Sequence, residues 1–313
     1  MKIKKIRIYV LNYNGEQLLQ ECLPSIERAS QKSREQAKVF VIDNESTDTS
    51  LNVLKTDFPN IPVLHSKNRF LCSFNDFVMQ NNSDLVILMN NDIKVKEDFI
   101  DPIIRMFEKY DDAFIASSMC WDFSGKIYEG SLSALKKKYG WWGTLTADPV
   151  RFNQFEYTAS VGACMSFRRD RFVELGGFDD LFLPGTLEDL DICYRGWKRG
   201  WKAYFVRDSI IYHKGQATFK QKFGSAKIRE LAMRNTFLFI WKNIYDSLLL
   251  FEHFFWIGPR LIGALLIGDF PFIIGCFKAF GKIGSAWQRR EKNKLEFILS
   301  DKDVLKIFEP LTL

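Results

Sequence analysis

The stretch IRIYVLNYNGEQLLQECLPSIERASQKSREQAKVFVID, residues 6–43, decides the fold class. It opens on an apolar β-type run (6–12) and passes through GEQLLQECLPSIERAS, which is helical in period. It closes on a second such run, 38–43. Near-continuous apolar strands joined by a helix predict a parallel pair covered on both faces. The pattern continues outward. IPVLHS (61–66), DLVILMN (84–90) and AFIASSM (113–119) are further strand candidates, and FNDFVMQNN (74–82) is again helical in period. The predicted class is α/β, with a mostly parallel central sheet and helices on both faces.

Ligands of such sheets bind outside the carboxyl ends of the strands. Those ends are polar here. The first strand runs into Asn12-Tyr13-Asn14-Gly15, and the second into Asp43, Asn44, Ser46 and Asp48. The third ends in HSKNRF, with Asn68, and the fourth in Asn90-Asn91-Asp92. Asn and Asp favour turns and helix caps wherever strands end, so one such end means little. Four on one edge describe a surface able to read a nucleobase and ribose. The edge carries few cations: there is no Gly-rich loop with a lysine and no GxGxxG after the first strand. A diphosphate bound there needs its charge met by something else, and a divalent metal (Mg²⁺ or Mn²⁺) on Asp92 meets that need.

The bulk properties set limits. A chain of 313 residues holds one large domain, or a domain with an appendage. The six cysteines (22, 72, 120, 164, 193 and 276) are scattered, with no CxxC and no histidine at ligand spacing. That argues against zinc and against a disulfide framework, and fits a reducing cytoplasm. The opening MKIKKIRIYVLNYN reads as a buried first strand rather than a signal peptide, because no small-residue cleavage site follows its apolar run. Charge is uneven: residues 214–313 hold 16 Lys and Arg against 9 Asp and Glu, leaving the first 213 residues at −1 of the total +6. A basic tail on a near-neutral body points to lipid headgroups or a lipid-linked phosphate rather than nucleic acid.

A second stretch, FLPGTLEDLDICYRGWKRGWKAYF (182–205), places Glu188, Asp189 and Asp191 at the start of an amphipathic helix carrying Leu190, Cys193, Tyr194 and Trp197. Thr186 reads as its N-cap with Asp189 at N3, a capping-box-like start, and acids also suit the helix dipole there. TASVGACMSFRR (158–169) reads as a strand leading into a helix over 168–175 that ends at the turn GGFDD. Gly162 and Ala163 leave room for a sugar ring or simply pack closely. Trp141-Trp142 read as a surface loop, free to stack on a sugar, rest at a membrane interface or fill core.

In order and at roughly the family's spacing, VLNYNGEQLLQECLPSI, VIDNESTDTS, ILMNNDIKV, GACMSFRRDRFVELGGFDDLFLPGTLEDLDICYRGWKRG and YHKG resemble family-2 glycosyltransferases of the GT-A fold. Coverage runs from about residue 5 to about residue 245, and MRNTFLFIWKN resembles the extension of bacterial rhamnosyltransferase-like members. The resemblance implies a nucleotide-contacting acid at Asp43, with Asn12, Asn14, Asn68 and Asn90 in the nucleotide site. It implies metal ligation by Asp92, last residue of a DXD-type motif that keeps one of its two acids, and by His213. It makes Asp189 the base that takes the acceptor's proton, with Glu188 orienting acceptor or donor sugar. Asp191 points elsewhere on the helix, as a cap or ion-pair partner. KNRFLCSFND lacks the glycines the family shows after the third strand, so the local path is expected to differ, with Arg69 a candidate phosphate contact.

The expected organisation is a catalytic domain over 1–220 and a helical extension over 221–313. The nucleotide-sugar half covers about 1–95 and the acceptor half about 96–220. Within the extension, residues 248–283 are apolar but interrupted by Glu252, His253, Arg260, Asp269 and Lys278, short of an uninterrupted transmembrane run. Helices lying in a bilayer surface, or a subdomain packed on the core or across a homodimer, both fit. The function expected is inverting transfer from a nucleotide-sugar donor to a lipid-linked glycan acceptor, for surface polysaccharide, on the inner face of the cytoplasmic membrane. A non-catalytic nucleotide-sugar-binding or scaffold protein is the alternative.

Overall fold

The computed structural model describes residues 2–215, 217–294 and 296–312. Strand β1 (Lys5–Asn12), helix α1 (Glu16–Lys32) and strand β2 (Gln36–Asp43) form the βαβ unit expected, and α2 (Ser50–Asp57) with β3 (Val63–His65) extends it. Next come α3 (Ser73–Met79), β4 (Leu85–Asn90), β5 (Ile93–Val95), α4 (Ile100–Lys109), β6 (Ala113–Asp122) and β7 (Tyr128–Gly130). A hairpin of β8 (Ser133–Lys138) and β9 (Trp141–Thr146) precedes β10 (Cys164–Arg168), α5 (Arg169–Glu174), α6 (Glu188–Lys198) and β11 (Lys202–His213). Among the described residues the chain closes on α7 (Ala217–Asn243), broken by non-helical backbone at Gly224, then α8 (Ser247–Leu266), α9 (Phe270–Phe280), α10 (Ile283–Lys294) and α11 (Asp301–Thr312).

The main sheet runs β3-β2-β1-β4-β10-β6-β11-β5, with β7 on β6. β1, β2, β3 and β4 are parallel, as are β6 and β11, while β10 runs antiparallel between β4 and β6. The sheet is therefore mixed, with most strands pointing one way. Alternation feeds two cores. Ile6, Ile8 and Val10 of β1 pack with Leu19, Leu23 and Ile26 of α1 on one face, and Tyr9 packs with Phe74, Phe167 and Phe172 on the other. β4 is buried along Leu85–Met89, which explains its unbroken apolar run.

Register places the polar ends together. Asn12 pairs with Asp43 and Leu11 with Asn90, so three strand ends finish level. β11 runs antiparallel to β5 with His213 opposite Ile93, and Lys214 N–H donates to the Asp92 carbonyl at 3.1 Å. These bonds bring His213 to Asp92 from more than a hundred residues away.

Two local expectations are corrected. Trp141 and Trp142 open strand β9 rather than a surface loop. Trp142 is buried edge-on against Tyr194, and Trp141 packs on Phe237 and Phe272. Thr186 does not cap α6: the N-cap is Leu187, no side chain caps the helix, and Thr186 lies outside it. Its backbone, like that of Leu187, is left-handed, whereas a Thr N-cap needs extended backbone.

In the extension, α7 is apolar on all sides from Phe237 to Trp241 and wholly buried there. α9 lies against it so closely that a Cβ on Gly275 would stand 2.8 Å from the Glu230 carbonyl. α8 is 20 residues long, long and apolar enough by length and composition to cross a bilayer, and most of it is not buried against the protein. Its charges face the protein: Glu252 pairs with Lys137, and Arg260 donates to the carbonyls of Lys138 and Tyr139. The outer face shows Leu248, Phe251, Phe255, Ile262, Leu265 and Leu266, and α9 adds Phe270 and Phe277.

Candidate active site

At the carboxyl edge of the sheet lies a cavity of about 360 Å³, within the range of small-molecule sites. Asn68, Asn90, Asp92, Glu188, Asp189 and His213 all line it, so six of the nine expected site residues meet in one place. The strand ends build one part of the wall, with Leu11, Tyr13, Asn44 and Asn91. Gly162, Ala163, Pro184, Gly185 and Thr186 build another. A Cβ on Gly162 would meet nothing within 4 Å, so this glycine opens space rather than permitting tight packing.

The other three expected residues lie beneath or beside that wall. Asn12 is buried. Its amide donates to Asp43 Oδ1 at 3.3 Å and Ser46 Oγ at 3.1 Å, and its Oδ1 accepts from Asn91 Nδ2 at 2.7 Å. Asp43 is buried and also accepts from the Ser46 N–H at 3.1 Å. Asn14, at φ 48°, folds its Oδ1 over the Thr47 N–H at 2.7 Å. Together they tie the ends of β1, β2 and β4 into one floor. Gly15 makes that floor compact: a Cβ there would stand 1.9 Å from Asn91 Nδ2. Asn44 is different, because its Oδ1 is buried at the wall with no hydrogen-bond partner, an open acceptor.

The segment after β3 does take its own path. Phe70 adopts φ 52° where a glycine would be unstrained, and its N–H is held by Asn68 Oδ1 at 3.2 Å. Arg69 turns away from the cavity to pair with Asp76 at 2.6 Å. The lysine at the wall is instead Lys222, which lies over the Tyr13 ring at 4.4 Å and the Phe70 ring at 5.3 Å. Nothing in the local sequence marks it.

Asp92 Oδ2 lies 3.4 Å from His213 Nε2, while Asp92 Oδ1 is buried without a partner. An orphaned carboxylate oxygen beside an imidazole nitrogen fits a divalent cation, which satisfies both. On its other side His213 Nδ1 meets Glu129 Oε2 at 2.9 Å, a contact that presents Nε2 towards Asp92. Burial works against the imidazolium, yet Asp92 and Glu129 together hold His213 above its usual pKa. Cys120 also comes within ligand reach of Glu129 and His213, an association of Cys and His that sequence spacing concealed. Its thiol is pushed up to about 12, first by burial and then by the neighbouring acids, and a protonated thiol is a poor ligand. The Asp92 carboxylate, with phosphate oxygens of a bound diphosphate, is the oxygen donor set that suits Mg²⁺ or Mn²⁺.

The acids at the start of α6 differ from one another. Burial, then the charge of Asp189, pushes Glu188 up to about 8, and its Oε2 is buried with no partner. Asp189 is also raised by burial, but Ser160 donates its hydroxyl to Asp189 Oδ2 at 2.6 Å and favours the carboxylate. Glu188 is thus protonated near neutral pH, while the Ser160 hydroxyl gives the Asp189 carboxylate a stabilising partner that Glu188 lacks, so the two acids have different environments. Asp191 points away, buried against Arg195 (2.8 Å), Lys242 (2.7 Å) and Asn243 (2.8 Å).

The family model described as "Glycosyl transferase family 2" matches residues 8–176, ending before α6. A Mycobacterium tuberculosis protein named N-acetylglucosaminyl-diphospho-decaprenol L-rhamnosyltransferase is 21% identical over 239 residues, covering 67% of this chain and 76% of its own length. Among solved structures, GalNAc-T7 with UDP, GalNAc and Mn²⁺ superposes with a TM-score of 0.61 at 16% identity over 78% of this chain. The chain spans about half of that protein, 49%. The mannosyltransferase PcManGT from Pyrobaculum calidifontis, in complex with GDP-Man and Mn²⁺, gives 0.53 at 14% identity, covering 100% of this chain and 83% of its own. At such identities the structural likeness is one of fold.

Proposed function

The chain belongs to glycosyl transferase family 2, and from that premise we propose that it is an inverting enzyme transferring a sugar from a nucleoside diphosphate to a hydroxyl of a lipid-linked glycan. The observation that carries this reading is a single cavity lined by both Glu188–Asp189 and Asp92–His213. The acceptor oxygen bonds to the anomeric carbon as the bond from that carbon to the diphosphate breaks. The acceptor's proton passes to Asp189, and one such base suffices for inversion. Glu188, protonated near neutral pH, donates a hydrogen bond that orients a sugar hydroxyl. Asp92 and His213 would hold Mg²⁺ or Mn²⁺, which stabilises charge on the departing diphosphate. Lys222 supplies a second positive charge, and Asn44 Oδ1 accepts from the base. The mycobacterial relative is named for an N-acetylglucosaminyl-diphospho-decaprenol substrate. That supports a lipid-diphosphate acceptor and a place in surface polysaccharide synthesis.

Within the catalytic domain the nucleotide side of the cavity draws on 11–92 and the sugar side on 162–189, while Lys222 and Ile228, beyond the division at about residue 220, also line it. Melting curves with UDP, GDP and dTDP, each with and without Mn²⁺, test the donor site. Binding at a hundredfold excess over Kd adds about 2.7 kcal/mol to native stability. One nucleotide is expected to raise the midpoint only with metal, and Asp92→Ala to abolish that rise. No shift with any nucleotide would count against the reading.

The extension docks on the inner face of the cytoplasmic membrane through the apolar faces of α8 and α9, whose charged residues turn inward or towards neighbours. Flotation with vesicles containing phosphatidylglycerol is expected to carry the protein up, and Phe251→Glu with Phe277→Glu to abolish this. Concentration-dependent dimerisation without flotation would assign the face to a second copy instead.

A further inference from the structure

The turn before α6 is held in a costly shape by a residue some fifty positions away. Thr186 and Leu187 have φ of 77° and 66°, left-handed values that β-branched and bulky residues resist. Leu187 is the N-cap of the helix whose first two residues are Glu188 and Asp189. The conformation of this pair therefore fixes where the acids stand, and Gly185 and Thr186 themselves line the cavity.

Asn235 of α7 reaches under the turn. Its Nδ2 lies 2.8 Å from the Phe182 carbonyl, 2.7 Å from that of Gly185 and 2.9 Å from that of Thr186. Its Oδ1 accepts from Arg234 Nε at 2.9 Å, and Arg234 Nη2 donates to the Leu183 carbonyl at 2.6 Å. Because a guanidinium only donates, the amide oxygen must face Arg234 and the NH₂ must face the carbonyls. Asn235 is fully buried, so no water replaces these bonds. Three converging carbonyls need a donor, and the isosteric carboxylate is the wrong partner.

We propose that Asn235, braced by Arg234, is a positioning residue that sets the Glu188–Asp189 pair in its working geometry; the proposal rests on the reading of Asp189 as the base. It makes the extension part of the catalytic machinery, since α7 belongs to the extension.

The test uses the full chain and measures release of nucleoside diphosphate from UDP-GlcNAc, GDP-mannose and dTDP-rhamnose. Nucleotide Kd and hydrogen exchange over residues 182–190 are followed in parallel. Asn235→Ala is expected to lower kcat roughly 10²-fold, the scale of a misplacement of about 1 Å. Nucleotide Kd should stay within about twofold and exchange over 182–190 should quicken. Asn235→Asp keeps the volume, so a space-filling role predicts rescue, whereas the proposal predicts a loss at least as large. Wild-type kcat in either variant overturns it, and so does a loss of nucleotide affinity equal to the loss in kcat. Asp189→Asn runs alongside: full activity there removes the base reading and this proposal together. An inactive Asp189→Asn beside active Asn235 variants removes this proposal alone. If neither Asn235 variant folds, Arg234→Lys, which takes away the Nε brace, is expected to cut kcat several-fold, and an unchanged kcat would overturn the proposal.

Discussion

Replacing Asp189 by asparagine is expected to lower turnover by about 10²–10⁴-fold, the usual contribution of a positioned base, with nucleotide affinity unchanged. The asparagine keeps the shape and still accepts from the Ser160 hydroxyl, which stands 2.6 Å from Asp189 Oδ2, so the helix start should survive. What is lost is the lone pair that receives the acceptor's proton. The pH profile carries the same information. Burial raises the pKa of Asp189 above the ordinary aspartate value, and the base works only when ionised. Activity should therefore rise with pH across a limb lying above that ordinary value, and fall as pH drops through it. An acidic limb at the ordinary position, or turnover in Asp189→Asn within tenfold of wild type, would remove Asp189 from the role.

The largest stability effect is expected two residues on. Asp191 is fully buried, and its oxygens accept from Arg195, Lys242 and Asn243. Arg195 also donates to the carbonyls of Leu175 and Gly177, and Lys242 pairs with Asp179 at 2.7 Å, which Arg289 of α10 also contacts. One carboxylate thus joins α6, the turn before it and the C-terminal helices. Asp191→Ala leaves two cations facing a hole in the interior. Breaking a buried pair in this way costs about 3–5 kcal/mol. The lower end applies, because Lys242 keeps Asp179. In a chain of this size the melting midpoint should fall by roughly 5 °C. A loss below about 1 kcal/mol in denaturant titration would show that the network adds little beyond packing.

These two acids, two residues apart on one helix, show what each level of description supplies. That acids open an amphipathic helix is legible locally, because Leu190, Cys193, Tyr194 and Trp197 recur at helical spacing and all are buried. Which acid faces the cavity and which faces cations is not, since the answer lies in Ser160, Lys242 and Asn243. The cap expected at Thr186 fails for the same reason. Local preference puts a Thr with an acid three residues on at a helix start, but the backbone there is left-handed, with Asn235 Nδ2 against the Thr186 carbonyl at 2.9 Å. Trp142 is a similar case, apparently exposed by its Lys- and Gly-rich surroundings and in fact buried by the β8–β9 hairpin.

The βαβ alternation, the polar strand ends and the helix of acids are all legible in the order of residues. Each rests on periodicity or residue type within about twenty positions, where backbone geometry alone couples neighbours. That Asn12, Asn14 and Asp43 brace a floor while Asn44 keeps an open acceptor comes from the packed chain. It alone set Glu129 behind His213, and turned Glu252 and Arg260 inward to leave α8 an apolar outer face. These pairings span from about 30 to more than 120 residues. Sheet order and helix packing make them, and no local spacing encodes either.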